Sequence, residues 1–262
     1  VASSTVHGGT YHQFKVLAPQ LGIACRFVAS NEPEDFRALL DDKTTFIFVE
    51  SISNPKYTVP DFEALADIAH SHGIPLICDN TFGCAGYYCR PIEHGADIVV
   101  HFATIWIDGH GTTLRGDIVD GGNFDWGQHA DKFPQFRSDG AQEGSGEVSL
   151  WKTFGRRAFA IRCHFEVLRG IGSTMSPQAA QQLLIGLESL AVRCDRPTSI
   201  RKPWPRGLHS SRRWRGCAIW VTWTIHAIAM PASFCDTDTA LSSLLASKED
   251  RKPVSVYAMS SR

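Results

Sequence analysis

From residue 23 to 119, short β-branched runs alternate with stretches of helical period. Residues 23–29, 45–50, 75–79, 97–101 and 117–119 are apolar on both faces, as strands covered on both sides must be. Between them, 33–40 and 61–72 predict helices. In the second, Phe62, Leu65, Ala66 and Ala69 fall at i, i+3, i+4 and i+7 with Ile68 beside them; Pro60 or Asp61 opens the helix and Gly73 closes it. This alternation predicts an α/β fold, a mainly parallel sheet with flanking helices. Further on, Ser176-Pro177 supplies a cap and a first-turn proline, and Ala180, Leu183, Leu184, Leu187, Leu190 and Ala191 line one face through about Arg196. The chain carries no internal repeat and no low-complexity tract.

At Pro197 the pattern stops. Seven basic residues lie between Arg196 and Arg215, no acidic residue follows until Asp236, and Trp204, Trp214, Trp220 and Trp223 crowd into the same stretch. The predicted organisation is therefore a large-domain unit over 1–175, the start of a linker helix over 176–196, and a poorly structured tail over 197–262.

Composition narrows the function without naming it. The 262 residues are 43% apolar and 20% charged, with 26 basic against 27 acidic side chains and a net charge of −1. That balance is globular and gives no global attraction to nucleic acid or an anionic membrane. No apolar run reaches the roughly 18 residues of a membrane span, and the start Val1-Ala2-Ser3-Ser4 has no signal-peptide pattern. Eight cysteines without a Cys-x-x-Cys pair point to a reducing, cytoplasmic setting. The basic, Trp-rich stretch mimics a nucleic-acid patch.

In an open parallel sheet, ligands sit beyond the carboxyl ends of the strands. Asn54, Asp79 and Thr104 each stand at or just after such an end. Singly they read as an Asn-Pro turn, a helix cap and a loop threonine; their agreement on one edge points to a ligand. His101 and His110 with Cys78, Cys84 or Cys89 lack metal-ligand spacing, so no metal is expected. Cys78, within a strand, reads as a small buried hydrophobe.

The stretches 7–11 (His-Gly-Gly-Thr-Tyr), 50–55 (Glu-Ser-Ile-Ser-Asn-Pro), 79–82 (Asp-Asn-Thr-Phe), 90–97 and 109–113 resemble, in order, the Cys/Met-metabolism family of pyridoxal-phosphate (PLP) enzymes, nearest to its O-acetylhomoserine sulfhydrylase branch. The likeness runs from about Val1 to Arg196. It implies a PLP-dependent transferase-like (type I aminotransferase-like) large domain, a homotetramer built from dimers, an amino-acid substrate, and replacement of an acetyl group by sulfide. Carried over by position, Asp79 would face the pyridine nitrogen, Asn54 the ring's phenolic oxygen and Thr104 the phosphate. His7, in place of a stacking tyrosine, would stack without the phenol's help in proton transfer.

The same resemblance exposes losses. The family places a lysine after Thr104, where its amine forms a Schiff base with PLP and moves the substrate's α-proton. Here that position is Ile105, and no lysine occurs between Lys56 and Lys132. A phosphate-binding serine is Phe102, a loop glycine is Asp108, and Arg115 and Asp117 replace a small and an apolar residue; Asp117, if buried without a partner, costs stability. Slipping the reading frame over Arg213–Trp220 and Trp223–Ile228 recovers two family-like stretches, so the tail reads as out of frame. The expectation is an inactive, degenerate homologue, truncated at its amino-terminal segment and without a genuine carboxyl-terminal domain, holding PLP weakly and without a covalent bond. The alternatives are a non-catalytic partner of an intact paralogue and a pseudogene product.

Overall fold

The computed structural model describes residues 1–54, 56–136, 149–199 and 255–259. Seven strands form one sheet: β1 (Ala2–Ser3), β2 (Phe27–Val28), β3 (Ile47–Glu50), β4 (Leu76–Asp79), β5 (Ile98–Phe102), β6 (Gly116–Asp120) and β7 (Ser255–Met259), in the order β2-β1-β3-β4-β5-β6-β7. The first five run parallel; β6 and β7 are antiparallel to their neighbours. The expected architecture is therefore present, with the sheet turning antiparallel after β5.

Helix Phe62–Ser71 forms where its apolar period placed it. Asp61 is its N-cap, accepting the Ala64 N–H at 3.1 Å, and Phe62, Leu65, Ala66, Ile68 and Ala69 are buried. They pack with Phe36, Ile47, Val49 and Leu76 on one face of the sheet. The other face carries an aromatic core: Phe124, Trp126, Phe133 and Phe136 against Ile98, with Trp126 stacked on Phe159 at 5.3 Å between centroids. Cys78 is fully buried, as a small hydrophobe should be.

Several boundaries differ from expectation. Of residues 23–29 only Phe27–Val28 pair, and the helix expected over 33–40 ends at Ala38. The helix beginning at Ser176, whose hydroxyl accepts the Ala179 N–H, is two helices, Pro177–Glu188 and Leu190–Ser199. The break is Ser189, whose N–H and hydroxyl both turn back to the Gly186 carbonyl and close the first helix. The second helix passes Arg196 and ends three residues later. Of the tail from 197, residues 255–259 pair with β6; residues 200–254 and 260–262, and with them most of the expectation of poor packing, lie outside the described residues.

Candidate functional site

β3, β4 and β5 deliver their carboxyl ends to one edge, in a register that sets Glu50 beside Asp79 and Asp79 beside Val100. A cavity of about 420 Å³ opens there. Its wall is His7, Gly9, Thr10 and Gln13 from the first helical segment, Glu50 at the end of β3 with Ile52 and Asn54 beyond it, Asp79 at the end of β4 with Thr81 and Phe82 beyond it, and Phe102 at the end of β5 with Ile105 beyond it.

Asp79 is held by its own turn. One carboxylate oxygen accepts the Thr81 N–H at 2.9 Å and the Thr81 hydroxyl at 2.5 Å. That hydroxyl also accepts the Phe102 N–H at 2.8 Å, tying Asp79 to the end of β5. Burial raises the Asp79 carboxyl above its usual range, against the Thr81 bonds.

Glu50 joins two loops. Its carboxylate accepts the His7 N–H at 2.5 Å on one oxygen and the Asn54 N–H at 3.0 Å on the other. Burial pushes it up to about 7, with the nearby Asp79 adding to the rise and the two N–H donors opposing it. The sequence places Glu50 at a strand end, but gives no sign that its carboxyl reaches back to the backbone of residue 7. His7 caps the first helix, its Nδ1 accepting the Gly9 N–H at 3.1 Å.

Of the four residues expected at the site, His7, Asn54 and Asp79 share this cavity and Thr104 does not line it. Thr104 is buried; its hydroxyl donates to the Thr113 carbonyl at 2.7 Å and accepts the Arg115 N–H at 3.0 Å. Phe102 and Ile105 stand at the opening, 40% and 46% exposed. Asp108 is buried and holds the following loop through the Thr112 N–H at 2.9 Å. Asp117 is half-buried, and burial pushes its carboxyl up to about 6. Among the described residues no group of three His, Cys, Asp or Glu side chains could hold a metal ion, and no helix is long and apolar enough to cross a membrane.

A mainly parallel sheet presenting a buried carboxyl to a cavity at its strand ends is the ligand-binding architecture of an open α/β fold. The chain belongs to the Cys/Met metabolism PLP-dependent enzyme family, whose sequence model matches residues 1–200. It is 63% identical over 196 residues to the sulfhydrylase-like protein lolC2 of Epichloe uncinata, a match covering 75% of this chain and 40% of that one. It is 50% identical over 223 residues to the sulfhydrylase FUB7 of Gibberella moniliformis, covering 85% and 50%. With O-acetyl-L-homoserine sulfhydrylase 1 of Thermus thermophilus it shares 43% over 197 residues, covering 75% and 46%. The chain thus spans half or less of the length of these curated relatives. Among solved structures, a putative O-acetylhomoserine (thiol)-lyase from Campylobacter jejuni, carrying an N'-pyridoxyl-lysine-5'-monophosphate, superimposes with a TM-score of 0.72 at 29% identity over 80% of this chain and 51% of that one.

Proposed function

We propose that this chain is a sulfhydrylase-like large domain of sulfur amino-acid metabolism that has lost the family's reaction, replacement of the acetyl group of O-acetylhomoserine by sulfide. The observation that carries the reading is Ile105 in the cavity wall. The ring side of the cavity carries groups that suit PLP: Asp79 would meet a pyridine nitrogen, Asn54 would address the ring's phenolic oxygen, and His7 would offer a stacking face. The attachment side does not. Position 105 gives a hydrocarbon where an amine is needed, none of the residues lining the cavity is Lys or Arg, and the Thr104 hydroxyl is spent on backbone. A dianionic phosphate placed beside the two carboxyl groups would lack a compensating cation from these residues. The residues present therefore do not fit covalently held PLP, and any PLP this chain binds is bound weakly.

The test is the absorbance spectrum of the purified chain with added PLP, before and after borohydride, alongside an assay of sulfide-dependent O-acetylhomoserine consumption. The reading expects no PLP fixed to the chain by borohydride and no turnover. A specific lysine trapped with PLP, or measurable turnover, overturns it. The proposal extends to the tail: the segment from about Pro197 is read as out of frame, and sequencing the coding DNA for a one-base repair that restores an open family-like continuation tests that part separately. Such a chain would act by pairing with an intact relative.

A further inference from the structure

The cavity that fails to suit a phosphate has a definite chemistry of its own. Glu50 and Asp79 are paired in the parallel register of β3 and β4, so two carboxyl groups stand on neighbouring strands in one wall. None of the lining residues is Lys or Arg. His7 supplies no fixed charge: its Nδ1 accepts the Gly9 N–H, which leaves a neutral ring with its proton on Nε2. Both hydrogen bonds to the Asp79 carboxylate end on Oδ1, and Oδ2 accepts none from the described residues. Each Glu50 oxygen accepts one backbone N–H and keeps a second lone pair. Beside these unused acceptors, Ile52, Phe82, Phe102 and Ile105 give the wall hydrocarbon and aromatic surface, with Phe102 and Ile105 exposed at the opening.

We infer that this cavity binds a small organic cation, a protonated primary amine on an apolar body, with the ammonium on Asp79 Oδ2 and the Glu50 carboxyl and the body against Phe82, Phe102 and Ile105. The inference rests on the reading above, that phosphate-bearing PLP does not fit. An ammonium brings three N–H donors and no acceptor, the complement of a wall whose free groups are carboxylate lone pairs. Burial raises both carboxyls, and Asp79 adds to the rise at Glu50, so two ionised groups here are costly alone. A cation between them offsets that cost, while an added carboxylate or phosphate would meet like charge with no cation from the wall. The site therefore sorts ligands by charge, taking cations ahead of neutral molecules and zwitterions. Its volume of about 420 Å³ admits one ring and a short amine chain.

The experiment is calorimetric titration of the full chain with three probes that share a ring: phenethylamine, its neutral counterpart phenylethanol, and phenylalanine, which adds a carboxylate to the amine. It is run at about pH 8, above the value of about 7 to which Glu50 is pushed, where the alkyl ammonium keeps its proton. Phenethylamine should bind at one site, about tenfold or more tighter than either of the other two. Asp79→Asn keeps the shape of the side chain and removes its charge, and should erase that preference. Ile105→Lys brings an ammonium of its own to the cavity and should exclude phenethylamine. No binding of phenethylamine, equal binding of phenylethanol or phenylalanine, or a preference that survives both substitutions overturns the inference. The probe series is read from the unsubstituted chain, so it decides the matter even where a variant fails to fold. The two readings fail separately: borohydride trapping of PLP on a specific lysine overturns the lost reaction and this inference with it, whereas absent charge preference without trapping overturns this inference alone.

Discussion

A single carboxyl, that of Glu50, accepts N–H groups from residues 7 and 54 while buried beside Asp79. Its pKa is raised from 4.5 to about 7, so the folded chain holds this proton more tightly than the unfolded one. The stabilisation is fully present below about 4.5 and is lost as pH rises through about 7. Glu50→Gln mimics the protonated acid, with one acceptor and one donor. Urea unfolding should find the two chains similar near about pH 5, and the wild type weaker by about 2–3 kcal/mol near about pH 8. A wild type that gains on the variant as pH rises would show that the two N–H donors outweigh burial. Ile105→Lys makes a second residue-scale prediction. The new amine enters the cavity, so borohydride should now fix about one PLP per chain, detectable as a mass shift, consistent with a lysine's capacity for Schiff-base chemistry. Sulfide-dependent turnover should remain absent, because Phe102 and the committed Thr104 hydroxyl still leave the phosphate side unmade. Asn54 and Asp79 were legible in the sequence because a strand end fixes where a residue lies. Thr104 was legible in position only: its hydroxyl is taken by the Thr113 carbonyl and the Arg115 N–H, partners across the following loop that spacing does not reveal.

Among the elements, those whose packing writes a regular apolar period into the chain are the most readable. Helix Phe62–Ser71 and strands β3, β4 and β5 carry periods imposed by a core on one side or both. The helical segment running from Gly8–His12 through Gln13–Leu17 to Ala18–Gln20 buries none of its residues, so no apolar period marks it. The helices between Leu150 and Ile171 are broken by Gly155 at φ 52° and widened over Cys163–Leu168, which blurs any regular period. β1 is two residues long and takes its identity from its neighbours β2 and β3. Helix Pro177–Glu188 shows how closely elements meet near the site. A Cβ on Gly186 would lie 2.3 Å from the Ile107 carbonyl oxygen and 2.4 Å from that of Asp108. Gly186→Ala should therefore push the helix off the turn that carries Ile105 and lower unfolding stability by about 1–3 kcal/mol, as overpacking does. Gly170→Ala, where an added Cβ meets nothing within 4 Å, should be neutral or gain up to about 1 kcal/mol. Equal losses in both would remove the steric explanation.

At the scale of the molecule, the sheet changes character at β5. Up to that strand every pairing is parallel; beyond it, β6 and β7 add antiparallel partners. Five registered pairs, from Gly116↔Met259 to Asp120↔Ser255, cover the outer side of β6. Removing residues 255–262 would strip those partners from β6 and leave a row of unpaired N–H and C=O groups, a template for edge-to-edge association. Light scattering of the shortened chain should rise with concentration while that of the full chain stays flat; matching traces would mean that β6 does not depend on this strand.

Thr81 carries a consequence of another kind. Its hydroxyl ties the Asp79 carboxyl to the Phe102 N–H, and a main-chain N–H is offered by every residue type except proline. The end of β5 is thus anchored by atoms indifferent to which side chains follow it. Drift at 102 and 105 can erase an amine or a hydroxyl while this strand terminus keeps its place, so selection for folding and selection for reaction read different atoms of the same residues.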